Sequence, residues 1–170
     1  MKTEKEVVEA YLEAHNRQDI DAVMSFYAED ATFEYVNNFT LVGKSALRRL
    51  EEYSVALNIK LRNFDYVYEP GQVSSKGIEQ NDWLCTMGID EAHHTSSTTI
   101  RDGLITSIRV ELSQESREQM KQAQEPFIAW MTKEKPNILA ELMADEESRI
   151  SKERALTVMA LLREWKTTQT

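Results

Sequence analysis

Between residues 61 and 112 the chain passes through four strand-like segments separated by turn signals, and this narrows its possible folds more than any other feature. Residues 61–68 alternate, Pro70-Gly71 marks a turn, and residues 73–87 read as one long strand with Gly77 at a bulge. Residues 93–100 are β-branched and polar. Arg101-Asp102-Gly103 then forms a tight hairpin turn into residues 104–112, where Ile105, Ser107 and Arg109 alternate with Leu104, Thr106, Ile108 and Val110. Consecutive strands of this kind after a helical start predict an α+β fold with an antiparallel meander.

Helical spacing governs the first part of the chain. Val7, Val8, Tyr11, Leu12 and His15 predict an amphipathic helix over residues 3–16. Asp19 caps a second, short helix with Ile20, Val23, Met24, Phe26 and Tyr27 as its apolar set. Residues 31–36 are rich in β-formers, and Gly43-Lys44-Ser45 opens a third helix carrying Ala46, Leu47, Leu50, Tyr53 and Leu57. The expected order is α-α-β-α-β-β-β-β. From Ser113 onward helical patterns return near residues 114–133, from Pro136, and near residues 150–165. Each has an apolar face that something must cover: the mouth of a pocket, the outer face of the sheet, or a second subunit. Pro136 and uneven spacing exclude a sustained heptad. The expected division is therefore an α+β domain over residues 1–112 and a helical extension over 113–170, packed on that domain or on a partner subunit.

A chain of 170 residues is long enough for one well-buried core. Its net charge of −9 is concentrated in residues 1–112, which hold 11 Lys and Arg against 19 Asp and Glu. An acidic body of this kind argues against nucleic-acid binding and against adsorption to anionic membranes. Cys85 is the single cysteine, so no internal disulfide forms. The first residues lead straight into a helical pattern without an apolar signal core, and no run approaches membrane-spanning length; a cytoplasmic location is expected.

The stretch from Glu9 to Glu34 carries Asp19-Ile20-Asp21-Ala22 and Tyr27-Ala28-Glu29-Asp30-Ala31; Gly43-Lys44 opens the next helix, and Asp102-Gly103-Leu104-Ile105 falls late in the sheet. Over about residues 3–112 this pattern resembles the nuclear transport factor 2-like superfamily, which includes ketosteroid isomerases, SnoaL-like polyketide cyclases, scytalone dehydratases and limonene epoxide hydrolases. The resemblance implies a cone-shaped, curved antiparallel sheet packed on the N-terminal helices around a cavity, with the C-terminal helices as an addition. It also implies a homodimer paired through the sheet. By comparison with ketosteroid isomerases, the oxyanion tyrosine falls on Tyr11, the base on Tyr35 and the second donor near Ser96. A phenol with a pKa of about 10 is a poor base at neutral pH, so the isomerase assignment fails at its central residue.

Strand parity and helical spacing extend the candidate set. Phe33 and Tyr35 share a face, as do His94, Ser96, Thr98 and Ile100, while Tyr11 and His15 lie one helical turn apart. At most one of His93 and His94 faces a cavity. Read as strand residues, Trp83 and Cys85 share a face, Cys85 is a buried inert thiol, and Asp82 enters the cavity only if Trp83 does not. Glu29-Asp30 is a capping and turn element. The three histidines show no recognised metal-ligand spacing, so neither a metal nor a cofactor is expected. The candidate catalytic residues are Tyr11, to polarise a ligand oxygen, with His15 or His94 to transfer a proton. Phe33, Tyr35, Trp83, Ser96 and Thr98 are the candidate ligand-binding wall. These residues point to a small apolar ligand handled by an isomerase, cyclase or hydratase type of chemistry. The alternative is a non-catalytic homodimeric module with a filled interior, and pocket volume discriminates between them.

Overall fold

A computed structural model describes residues 1–170. Helix α1 (Glu4–Asn16) begins at a capping box in which Thr3 and Glu6 satisfy each other's backbone N–H, and it buries Val7, Val8, Tyr11, Ala14 and His15 on one face. Asp19 caps α2 (Ile20–Met24) by accepting from the Ala22 N–H. Phe26 and Tyr27, expected in that helix, lie beyond it. Tyr27 opens strand β1 (Tyr27–Tyr35), which turns at Asn37 (φ 60°) into a short β2 (Phe39–Val42) that the sequence pattern did not reveal. Gly43, at φ 86°, then admits α3 (Lys44–Ala56), whose buried face is Leu47, Leu50, Glu51 and Ser54.

Strands β3 (Lys60–Glu69), β4 (Gln72–Gln80), β5 (Ala92–Arg101) and β6 (Leu104–Leu112) form the expected antiparallel meander. The full sheet has the order β2-β1-β6-β5-β4-β3, and β1 joins β6 in parallel, so the sheet is mixed. Its curvature follows from register irregularities in β3 between Phe64 and Val67, where Asp65 has φ 53°, and along β1–β6 and β5–β6. Gly77 is not a bulge; it pairs in regular register with Asn63 and His94.

The long strand expected over residues 73–87 stops at Gln80. Asn81 instead caps a short helix, α4 (Asp82–Thr86), by accepting from the Leu84 N–H. Strand parity therefore does not apply to Asp82, Trp83 and Cys85. Leu84 is the buried residue of that helix, and Cys85 is exposed rather than the buried thiol expected.

The C-terminal segment forms α5 (Gln114–Glu134), α6 (Pro136–Ala144) and α7 (Lys152–Thr167). Two cores result. The first joins α1, α2, β1 and α3 to Val73, Ile100, Ile105 and Ile108, and it also receives Ile150 from the segment between α6 and α7. The second packs Leu57, Leu84, Met87, Ile89 and Ala92 against Phe127, Met131, Met159, Leu162 and Trp165. Residues on both sides of position 113 thus share a single apolar cluster. No helix is long and apolar enough to cross a membrane.

Candidate functional site

The pairing register identifies the concave face. Thr98, Ser96 and His94 on β5 stand opposite Ile108, Val110 and Leu112 on β6, which in turn align Phe33 and Tyr35 on β1. On the other side, Ser75, Gly77 and Glu79 of β4 lead to Asn63 and Leu61 of β3. Helices α1 and α3 roof this surface, while α5 and α7 contribute Met120, Gln124, Ala155 and Val158. A cavity of about 470 Å³ remains between them. Hydrophobic residues supply 18 of its 31 lining positions, which suits an apolar occupant held by a few polar groups.

One polar group lies beneath the helical roof. The Tyr11 and Tyr27 hydroxyls are 3.0 Å apart, and the Tyr27 hydroxyl donates to Glu51 Oε1 at 3.2 Å. Burial pushes the Glu51 carboxyl up to about 7 and raises both phenols far above their ordinary range. His15 Nε2 lies 3.8 Å from Glu51 Oε2. That distance would allow an ion pair, but burial lowers the imidazole's pKa, and its Nδ1 has no partner. We therefore read the contact as a neutral imidazole beside a carboxyl poised near neutrality.

A second group sits on the sheet. His94 is buried, with its Nδ1 unpartnered; burial, with His93 adjacent, lowers its pKa to about 4. Ser75 and Ser96 hydroxyls are 2.9 Å apart, and Asn63 Nδ2 donates to both, at 3.0 and 3.4 Å, leaving Asn63 Oδ1 unpartnered. Gly77 makes room for this arrangement. A Cβ there would stand 2.7 Å from His94 Cε1, nearer still to Nε2, and 2.9 Å from Asn63 Oδ1. Gly77→Ala should therefore displace the imidazole and cost about 1–3 kcal/mol, the usual range for overpacking. Urea denaturation measures the cost, and an unchanged His94 ring resonance would contradict the displacement.

A third group lies toward the C-terminal segment. Glu79 accepts from Asn81 Nδ2 at 2.6 Å, and its carboxyl is raised by burial. Tyr53 is pushed up to about 12, first by burial and then by Glu79, with Arg149 acting in the opposite direction. Tyr35 is raised as well, by burial and by Glu79, so at the position where ketosteroid isomerases place their base it holds a still weaker acid than an ordinary phenol.

Tyr11, His15, Phe33, Tyr35, Trp83, His94, Ser96 and Thr98 all line this one cavity. Asp82 does not, and His93 points outward, with Nε2 3.1 Å from Glu91. Sequence reasoning missed Glu51 and Glu79. The signal for Glu51 was its place on the buried stripe with Leu47, Leu50 and Ser54, where a lone carboxylate is out of keeping. For Glu79 the signal was shared parity with Ser75 and Gly77.

Comparison with solved structures agrees with the architecture. SalBIII, an epoxide hydrolase/cyclase-like enzyme with a role in pyran ring formation in the polyether salinomycin, superposes with a TM-score of 0.58 at 20% identity, over 66% of this chain and 92% of that one. An LEH-like epoxide hydrolase from M. tuberculosis gives 0.58 at 15% identity, over 72% and 92%. A de novo designed protein with a curved β-sheet gives 0.54 at 13% identity, over 72% and 97%, so likeness at this level establishes the fold alone. No curated protein matches the sequence. The model of the SnoaL-like domain matches residues 8–108, more than half the chain. With the helix-roofed curved sheet already in place, that match settles the kinship: the chain belongs to the SnoaL-like domain family.

Proposed function

We propose that the protein binds a small, largely apolar, oxygen-bearing molecule in this cavity and acts on it by cofactor-independent acid–base chemistry of the isomerase, cyclase or hydratase type. The observation that carries this is the open cavity of about 470 Å³, whose lining includes the His15 and His94 imidazoles and two carboxyls raised by burial, Glu51 and Glu79. A non-catalytic module with a filled interior would have no such space.

The hydroxyl chain supports a specific role for Tyr11. While Glu51 is ionised, Tyr27 donates to it and Tyr11 donates to Tyr27, so Tyr11 offers the cavity only lone pairs. Once Glu51 carries a proton, its carboxyl can donate to Tyr27 and Tyr27 to Tyr11. The Tyr11 hydrogen is then free for a ligand oxygen. Glu51, with a pKa near 7, is better matched to proton transfer at neutral pH than either neutral imidazole. His15 and His94 then serve as hydrogen-bonding partners and weak bases, and Phe33, Tyr35 and Trp83 form the apolar wall.

The test is to purify the protein natively and identify co-purifying small molecules by mass spectrometry. For such a molecule, Tyr11→Phe should weaken binding up to about tenfold, the worth of one hydrogen bond. Unchanged affinity and turnover would remove Tyr11 from the site. Pairing of two copies through the outer face of the sheet, in the cytoplasm, belongs to the same proposal; light scattering of the purified protein tests the pairing.

A further inference from the structure

Two guanidinium groups, Arg149 and Arg154, are the permanent positive charges lining the cavity, and both come from the C-terminal segment. Arg154 is committed to the fold. It donates to the carbonyls of Leu142 at 2.8 Å and Asp145 at 2.7 Å, tying the end of α6 to the start of α7. Arg149 is placed differently. Its neighbour Ile150 is buried in the first core, and Ser148 is held on one side by Asp145 and on the other by Ser151. The backbone from 145 to 151 is therefore a fixed strap. From it Arg149 reaches the side-chain oxygen of Asn38 on the β1–β2 turn.

Asn38 accepts a hydrogen but neutralises no charge. Neither guanidinium stands within the 4.0 Å that defines an ion pair with a carboxylate, although Arg48, Arg109, Lys44 and Lys135 all do. Glu79, on the same wall, does not supply the missing anion: its carboxyl is engaged by Asn81, and burial raises its pKa where an ion pair would lower it. The net charge of −9 opposes anions at long range, but salt screens that field beyond about 8 Å, whereas an unpaired guanidinium at the rim acts at contact distance. Beside Asn38 begins an aromatic ladder in which Phe39 stacks on Tyr35 at 5.6 Å and on Phe33 at 6.0 Å.

We infer that the cavity selects aromatic or fused-ring organic acids, with the ring system against Phe33, Tyr35 and Phe39 and the anionic group received by Arg149. This rests on the proposal that the cavity is a ligand site and names the class of ligand it takes. A guanidinium offers five N–H donors in a fork suited to an oxyanion, and the bond to Asn38 leaves several of them free.

Two fluorescent probes with the same rings separate charge from shape: 1-anilinonaphthalene-8-sulfonate, which is anionic, and N-phenyl-1-naphthylamine, which is neutral. Titrated into the full-length protein at physiological ionic strength, the sulfonate should bind one site at least about tenfold more tightly than the amine. Arg149→Gln should remove that preference and leave the neutral probe's affinity unchanged, which also shows that the variant is folded. Arg149→Lys should restore part of it. Equal affinities in the wild type, or a preference that survives Arg149→Gln, would overturn the assignment to Arg149 while leaving the ligand site standing. Failure of both probes to bind with one-site stoichiometry would overturn the ligand site as well.

Discussion

A Trp165→Ala variant is expected to lose about 3–5 kcal/mol of stability, the range for truncating a large buried aromatic. Trp165 is 5% exposed and packs at 5.6 Å on Phe127, so its indole is the bridge between α7 and α5. The same cluster contains Leu57, Leu84, Met87 and Ile89, which precede residue 113. We propose that the C-terminal segment folds as part of the body and not as an appendage. Denaturation followed by far-UV circular dichroism should then show one cooperative transition, moved to lower denaturant as a whole. A second, unmoved transition would show that residues 1–112 are stable without their C-terminal helices. Loosening α5 and α7 also withdraws Met120, Gln124, Ala155 and Val158 from the cavity wall, so ligand affinity should fall with stability.

Glu51→Gln is expected to do the reverse, and only at high pH. Its folded-state pKa of about 7 lies above the ordinary 4.5, so between those values the folded chain holds a proton that the unfolded chain has released. Stability therefore falls as pH rises through that window. Glu51 is 3% exposed, and the shift corresponds to roughly 3 kcal/mol once pH exceeds 7. Glutamine keeps the shape and the acceptor for Tyr27 but cannot ionise. The variant should match the wild type near pH 4.5 and exceed it by roughly 3 kcal/mol at pH 8, as measured by urea denaturation at both pH values. A variant less stable than the wild type at pH 8 would mean that His15 is protonated and paired with Glu51, since breaking a buried ion pair destabilises. The same carboxyl governs Tyr11 as donor, so binding that depends on the Tyr11 hydrogen should weaken above about pH 7, and Glu51→Gln should abolish that dependence.

Much of this architecture is legible in the residues alone, because period and punctuation are local. The spacing of Val7, Val8, Tyr11 and His15 determines α1; the turn at Asp102-Gly103 determines the last hairpin; and alternation along β5 puts His94, Ser96 and Thr98 on one face. Parity fails at residues 81–87 because Asn81 turns an apolar run into a capped helix, and a short apolar run does not reveal which period it will adopt. Strand β2 escaped notice because four residues carry too little pattern. The parallel pairing of β1 with β6 joins segments some 75 residues apart and leaves no local mark.

Packing between distant elements settles which face is concave and what stands opposite it. Glu51 is an ordinary helical glutamate until α1 and β1 close over it and remove the water that would keep its pKa low. Arg149 is one more surface cation until Ile150 pins its strap beside Asn38. Sequence sets the period and direction of each side chain within its own element. Burial, and the pKa shifts that follow from it, arise from elements distant in the chain and exist only once those elements have packed.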